Sequence, residues 1–536
     1  MRITACFKAS FTSSSNRTLF SVYLIFLSLY LSFVTYIPRS HLFAEQGRIV
    51  LKLAFFVLLT AAFAAVLILL CCVSISHTKK QTAAKGNGVS EKWFFCAVFA
   101  VTMAILLITL ASCKPGAVNY DVSNQWQQAQ TGEYNNWHPV FHTLWIWLVT
   151  RISHNYSIAI AIQLLLFSVA AARLAVLIKR NGIPGRIILL LVFFVVGSKS
   201  VRNTMMYLGK DAMMTILCTV SAGFLVEIYH TKGGWLTKPV HAILFGLCVT
   251  FISLIRQNAL FFTIPLLLCL FFLFADYRKV FLTVFSSAVI SLLVIKCVVY
   301  PCLDIIYPTN TVEESAGLPM TILADAYVSE PEKVDDEARQ FLLTLASDAE
   351  WKTKYHLHQY NSIKFEFARE LVQEKSLFDL FKYAWNTAKA SPASAFESVL
   401  QVTGLVWNID GENTGYQGIS NSGTLRNVTA ESGRIQSIGK SIISVLDRIY
   451  DFPPIAYFTQ NIGVEMLILL LSGLFALRKK GNAALLFVLP IACYNLGTML
   501  LLCGNDARFF QFSMFLCYPF SLLLLYPKKG EEPKAQ

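Results

Sequence analysis

One polar stretch, residues 119–147 (NYDVSNQWQQAQTGEYNNWHPVFHTLWIW), collects an acid, two imidazoles and several indoles between two long apolar runs. Asp121 stands near its start. Gly132 follows, then Trp137-His138-Pro139 and His142, which open a helical pattern of Phe141, Leu144, Trp145 and Leu148. The apolar run before it, 93–112, is long enough to cross a bilayer, so the stretch begins at a membrane face. A carboxylate and two imidazoles are proton-transfer groups and indole faces stack on sugar rings, so the stretch reads as a sugar-facing surface. The same residues also have plainer uses. Asp121 would serve as a helix cap, His138 and His142 as packing or hydrogen-bonding groups, and Trp126, Tyr134, Trp137, Trp145 and Trp147 as interface anchors.

Further charged positions sit at the ends of apolar runs. Lys210-Asp211 starts one, Arg256-Gln257-Asn258 lies between two, and Arg508 opens the last. Read plainly, Lys210-Asp211 is an ion pair with a helix cap, and the arginines snorkel to lipid headgroups.

The elements that must hold these residues follow from composition. Of the 536 residues 55% are apolar and 14% charged, with a mean hydropathy of +0.55, which excludes an ordinary soluble enzyme of this length. The chain reads as a polytopic membrane protein. Its formal net charge of +13 would suit nucleic acid, but Lys and Arg gather at the ends of apolar runs, the pattern of a cytoplasmic charge bias. The 13 cysteines fall mostly inside apolar segments, Cys71, Cys72, Cys218, Cys248, Cys269 and Cys517 among them, with no metal-ligand spacing and no framework of pairs.

In chain order, residues 1–18 are polar and basic, and 19–37 form a first span, read as an uncleaved anchor. Spans at 49–73 and 93–112 follow, separated by a lysine-rich stretch that places 113 onward outside. The helix opening near Pro139 breaks at 151–155 and reads as lying along the outer interface. Further spans are expected at 156–178, 187–197, 211–228, 240–255, 258–275 and 281–300, with Arg256-Gln257 a tight outer connection. Residues 301–452 turn to mixed-charge helical patterns and read as an extracytoplasmic domain. Within it, 392–407 is an interfacial helix or core packing, and 408–433 a long loop, functional or disordered. Spans at 454–477, 483–502 and 508–526 complete the chain.

The expected fold is thus all-α and polytopic, with about twelve transmembrane helices, interfacial helices on the outer face and a mostly helical extracytoplasmic domain. Its parts are 1–112, N-terminal spans; 113–155, the outer loop with the candidate chemistry; 156–300, further spans; 301–452, the extracytoplasmic domain; and 453–536, the last spans with a cytoplasmic tail. The expected location is the cell membrane, multi-pass, with both termini cytoplasmic.

On these residues the chain resembles the C-type integral-membrane glycosyltransferases, and within them a group of bacterial multi-span proteins. The likeness rests on Asp121 early in the first large outer loop, Gly132 and His138-Pro139 entering a helix with His142, Lys210-Asp211 starting a span, Arg256-Gln257-Asn258 between spans, and Arg508 opening the last. It covers most of the chain apart from the first two spans. Such a resemblance implies transfer of a sugar from a polyprenyl-phosphate or polyprenyl-diphosphate donor to an outer acceptor, which is a cell-envelope glycan, a lipid or a protein. Asp121 would be the general base, taking the acceptor's hydroxyl proton at the membrane face where the donor headgroup lies, with His138 and His142 beside it. Arg256, Arg508 and Lys210 would meet the charge that develops on the phosphate leaving group, and an arginine can hold it with two parallel hydrogen bonds. Asp211 and Asn258 would support them. The single acid at 121, where some relatives carry an acidic pair, leaves a divalent cation open as a cofactor, and no metal ligands are assigned.

The competing class, a transporter or flippase of a lipid-linked saccharide, would show broken spans in two similar halves and ionisable residues near the bilayer midplane. The sequence shows no repeat of the 121 region, and its charges lie at span ends. A structural or polymer-length partner without activity is a third reading.

Overall fold

Lipid offers no hydrogen-bond partner, so an apolar run must satisfy its own N–H and C=O groups, and the α-helix does so within one segment. The computed structural model describes residues 14–43, 48–78, 90–308, 311–410, 433–501 and 506–526, and among them it is helical almost throughout, with two isolated bridges and no strand. Among the described residues eight helices are long and apolar enough to cross a membrane: Arg17–Ser40, Ile49–Val73, Glu91–Ser112, Tyr156–Arg180, Lys210–His230, Ala275–Cys302, Asn482–Met499 and Ala507–Leu525. The count is ten if each of two bent pairs is one span.

Length and composition therefore support eight to ten spans rather than the expected twelve, and the difference has local causes. Residues 240–255 and 258–275 do fold as helices, Pro239–Ile255 and Leu260–Leu273, of 17 and 14 residues. At ~1.5 Å per residue these reach roughly 25 and 21 Å, short of a hydrocarbon core of about 30 Å. The run 187–197 forms Gly185–Val196, and the chain then turns by 66° into Lys199–Met205, so part of the expected outer connection is itself helical. Gly197 marks the bend. A Cβ there would sit 2.2 Å from the Tyr450 hydroxyl, and Ser198 caps the new helix by accepting from Val201 N. A second pair, Pro453–Thr459 and Ile462–Lys480, is bent by 68° where one span was expected. Here Asn461 accepts from Val464 N at 3.1 Å and starts the longer helix.

The spans share one apolar core, in which close approach is set by small residues. Gly246 lets Pro239–Ile255 lie against Arg278–Val294, where a Cβ would fall 1.8 Å from Ser287 Oγ. A second core, drawn from residues 316–395, surrounds the fully buried Trp351, whose Nε1 donates to Leu342 O at 2.9 Å. Pro392–Trp407 joins the two cores. Its Ala395 belongs to the second, while Leu400, Leu405, Val406 and Trp407 belong to the membrane core, so this segment packs in the interior. Most of the expected 408–433 loop, residues 411–432, and the lysine-rich stretch 79–89 lie outside the described residues.

Candidate functional site

Asp121 is carried by a helix that the polar run itself forms, Tyr120–Thr131. Asn119 rather than Asp121 is the cap, its side chain accepting from Val122 N at 2.9 Å. Gly132, at φ +78°, ends the helix in the left-handed conformation that glycine adopts without strain. Val122, Trp126 and Ala129 recur at i, i+4 and i+7 and are buried, with Trp126 edge-on to Tyr156 at 5.3 Å. Asp121, Gln125 and Gln128 repeat at the same spacing on the neighbouring face, which meets residues 135–143. Gln128 Oε1 accepts from Asn135 N at 3.0 Å, Gln125 Nε2 donates to Thr143 Oγ1 at 3.0 Å, and Gln125 Oε1 lies 3.0 Å from His142 Nδ1. These bonds hold His138-Pro139 and the first turn of Val140–Ile152 against the Asp121 helix.

Lys210 reaches the same place through backbone contacts around Ala117. Ala117 N donates to Met206 O at 2.9 Å, the Tyr156 hydroxyl donates to Ala117 O at 2.7 Å, and Gln163 Nε2 donates to Tyr207 O at 2.9 Å. Lys210 Nζ then donates to Asp121 Oδ2 at 3.3 Å and to His138 Nδ1 at 3.2 Å. This pairing places the His138 proton on Nε2, which lies 3.7 Å from Asp121 Oδ1. From the far end of the chain, Asp506 accepts from Arg508 N at 3.0 Å and pairs with Arg508 Nε at 2.8 Å, while Arg508 Nη1 lies 3.8 Å from Asp121 Oδ2.

Arg256 stands behind Arg508. Its backbone is extended between two helices, its guanidinium pairs with Asp211, and its Nε donates to Asn258 Oδ1 at 3.2 Å. Asn258 Nδ2 in turn donates to Tyr494 Oη at 3.2 Å and to Thr498 Oγ1 at 3.1 Å. Both guanidiniums lie over the Phe509 ring, Arg256 at 4.8 Å and Arg508 at 5.3 Å from its centroid. The Arg256 side chain is 7% exposed and that of Arg508 36%, so Arg508 is the arginine that a ligand at Asp121 meets first.

The structure thus brings Asp121, His138, Lys210, Asp211, Arg256, Asn258 and Arg508 into one connected set. His142 turns aside to Gln125, and its buried Nε2 has no hydrogen-bond partner among the described residues. Sequence reasoning missed Asp506, Phe509 and Gln125. The signal for Gln125, its spacing from Asp121, exists only once 120–131 is read as helical.

Burial alone would raise the Asp121 carboxyl, yet Lys210 and Arg508, joined by His138 in the acid range where its imidazole is protonated, outweigh it and hold it well below the usual carboxylate range. Burial and the nearby Lys210 push His138 down to about 4, so it is neutral near pH 7 and the cations facing Asp121 are Lys210 and Arg508. At Asp506 burial prevails and the carboxyl is raised despite Arg508. An ionised carboxylate, a neutral imidazole, an ammonium and a half-exposed guanidinium can together take a proton and hold an anion. Among the described residues no group of three or more His, Cys, Asp or Glu side chains is arranged to hold a metal ion, and Asp121, Asp211 and Asp506 each face a basic side chain instead. Beside the cluster an apolar groove of about 690 Å³ crosses the core, from Phe141 and Ile255 near the charged set to Arg173, Glu227 and Trp235 at its other end.

Helices long and apolar enough to cross a membrane, with a charged cluster at their ends and an apolar groove in the core, define a polytopic, all-helical protein of membrane-spanning character. Residues 129–536 match the Family of unknown function (DUF6020), and the chain belongs to that family. The matched region contains every residue of the set except Asp121. No curated protein and no solved structure matches the chain.

Proposed function

We propose that the chain is a membrane glycosyltransferase that moves a sugar from a polyprenyl-phosphate-linked donor to an extracytoplasmic acceptor. The observation that carries this reading is the meeting of Asp121, His138, Lys210 and Arg508, from four separate elements, beside an apolar groove. In the reaction the acceptor oxygen bonds to the anomeric carbon as that carbon's bond to the phosphate oxygen breaks, and the bonding pair leaves with the polyprenyl phosphate. Asp121 takes the acceptor's proton. Lys210 and Arg508 hold the phosphate, Arg256 and Asp211 fix Phe509 and with it Arg508, and the groove takes the isoprenoid chain. A carboxylate held far below neutral is a weak base, and the donor corrects this. An anionic phosphate draws Lys210 and Arg508 to itself and adds a like charge, and both effects raise the Asp121 carboxyl.

In this reading the protein is multi-pass in the cell membrane, with the Asp121 end outside and both termini cytoplasmic. Pro239–Ile255 and Leu260–Leu273 then cross as two short spans in locally thinned lipid, which makes twelve. Probes at Ser347 and Lys480 are expected to react from opposite sides, and reaction of both from one side would refute the topology. The function is tested by a density map of the protein loaded with a polyprenyl-phosphate-linked sugar. The phosphate is expected within hydrogen-bond reach of Arg508 and Lys210; a phosphate seated elsewhere overturns the proposal.

A transporter or flippase is the runner-up. It draws on the spans bent by 66° and 68° and on Glu465, buried in the longer half of the second bent pair with Oε2 lacking a partner among the described residues. It requires movement of an intact lipid-linked saccharide between leaflets, whereas the transferase breaks the sugar–phosphate bond.

A further inference from the structure

The Arg434–Tyr450 helix has three sectors rather than two. One faces the protein. Gly439 lies so close to Glu91–Ser112 that a Cβ would fall 2.8 Å from Ser112 N, the Tyr450 hydroxyl donates to Phe193 O at 2.6 Å, and Asp447 pairs with the buried Arg202. The second is polar and exposed, with Ser437, Lys440, Ser441, Ser444 and Arg448. The third is apolar and bare. Ile435, Ile438, Ile442, Val445 and Ile449 recur at steps of three and four, which places them on one stripe, and they are 71%, 52%, 46%, 58% and 43% exposed.

We infer that this stripe is set in the lipid leaflet at the Asp121 end of the bundle, with the helix lying in the interface plane. Three observations identify lipid as the occupant. The stripe runs into the outward face of a bent span, since Ile449 and Tyr450 line a shallow apolar groove with Ile187, Leu190 and Phe193. That face is already a lipid-facing surface, with Leu190 70% exposed, and the exposed Phe452 prolongs the stripe at its end. Arg434 and Arg448 border the stripe on its polar side, as basic side chains do on interfacial helices, where they reach headgroup phosphates. The helix therefore belongs to the membrane body and not to a domain standing clear of it. Through Asp447 and Arg202 it also holds Lys199–Met205, the short helix whose chain leads on to Lys210, so its depth in the leaflet sets the height of that lysine. None of this depends on which reaction the site performs.

The test uses the full-length protein with a genetically encoded fluorescent amino acid in place of Ile438 or of Ser444. Each is reconstituted in vesicles of phosphatidylcholine and phosphatidylglycerol, with and without doxyl-labelled phosphatidylcholine, and iodide is the aqueous quencher. The doxyl lipid should quench position 438 several-fold more than position 444, and iodide should show the reverse order. Equal access of iodide to both positions overturns the inference. Shielding of 438 from both quenchers also overturns it, because a second copy or another part of the chain would then cover the stripe. If the probe at 438 impairs folding, Ile442 and Val445 occupy the same stripe and answer the same question.

Discussion

Replacing Arg508 by lysine keeps the charge and removes the planar fork. In the structure Arg508 meets three groups at once: Asp506 2.8 Å from Nε, Asp121 3.8 Å from Nη1, and the Phe509 ring with its centroid 5.3 Å away. A lysine ammonium reaches one carboxylate or the donor phosphate and cannot span them. A hydrogen bond to a charged group is worth about 1.5–3 kcal/mol, so losing one made in the transition state lowers kcat/KM on the order of 10- to 150-fold. The side chain is 36% exposed, so folding should persist and the melting temperature should stay close to that of the unchanged protein. Arg278→Lys is the comparison, because Arg278 lies over the Phe271 ring at 5.0 Å, away from the cluster, and lysine reaches headgroups as well as arginine does. The assay is the initial rate of sugar release from a polyprenyl-phosphate donor in nanodiscs, normalised to monodisperse protein. Wild-type kcat/KM in Arg508→Lys would refute the phosphate role. An equal fall in Arg278→Lys would refute the distinction between the two arginines.

Asp121→Asn removes the basic oxygen and keeps the shape, so turnover should fall by about 100-fold or more, while donor retention by native mass spectrometry should hold or improve as Lys210 and Arg508 are released. Near-normal turnover by the folded variant would rule the base out. Gly246→Val forces a side chain into space 1.8 Å from Ser287 Oγ, and the separation of two helices should cost about 1–3 kcal/mol, read as a lowered melting temperature. An unchanged melting temperature would contradict the packing. In the second core, Asp325 accepts from the Tyr355 hydroxyl and from His358 N, each at 2.8 Å, and pairs with His358 Nδ1. Its hydrogen bond to Asp325 raises His358, so that contribution is complete below an unfolded pKa of about 6.5 and fades as pH rises through the folded value. Burial would raise Asp325, but its hydrogen bonds to His358 and Ser398 bring it below the ordinary value, so its contribution is present above about pH 4 and is lost as pH falls through the folded value. Limited proteolysis should therefore find this core most resistant between about pH 4 and about pH 6.5 and weaker above, with the alkaline loss absent in Asp325→Asn.

A span such as Ile49–Val73 is legible in sequence because an unbroken apolar run of that length admits one backbone arrangement in lipid. The bend at Gly197 is not legible, since it depends on Tyr450, a residue far away in the chain. The Tyr120–Thr131 helix is hard to see for another reason. Its apolar stripe is Val122, Trp126 and Ala129 alone, set among Asn and Gln, so the period is thin and the stretch reads as polar surface. Charged residues at span ends stand out in so apolar a chain, which is why most of the cluster could be chosen residue by residue. Their pairing could not. That Asp211 takes Arg256, and so sets it behind Arg508, depends on the start of Lys210–His230 meeting the end of Pro239–Ile255. In sequence Asp506 reads only as part of a short outer connection, and nothing there shows that it pairs with Arg508 beside Asp121.

Asp121, Asp211 and Asp506 face Lys210, Arg256 and Arg508, so with His138 neutral these six groups carry no net charge when all are ionised. Such a site exerts little long-range pull on a passing anion, and salt does little to it while it is empty. An anion that enters must upset the balance, and the smallest correction is a proton. Asp506, already raised by burial, is the group placed to accept it. If the site holds the anionic donor as proposed, occupancy would be coupled to proton uptake, and by linkage acidification would tighten the grip on the anion while release of the proton would loosen it. Hydrogen ion and anion would then be effectors of one another through the carboxyls beside Arg508, Asp506 and Asp121.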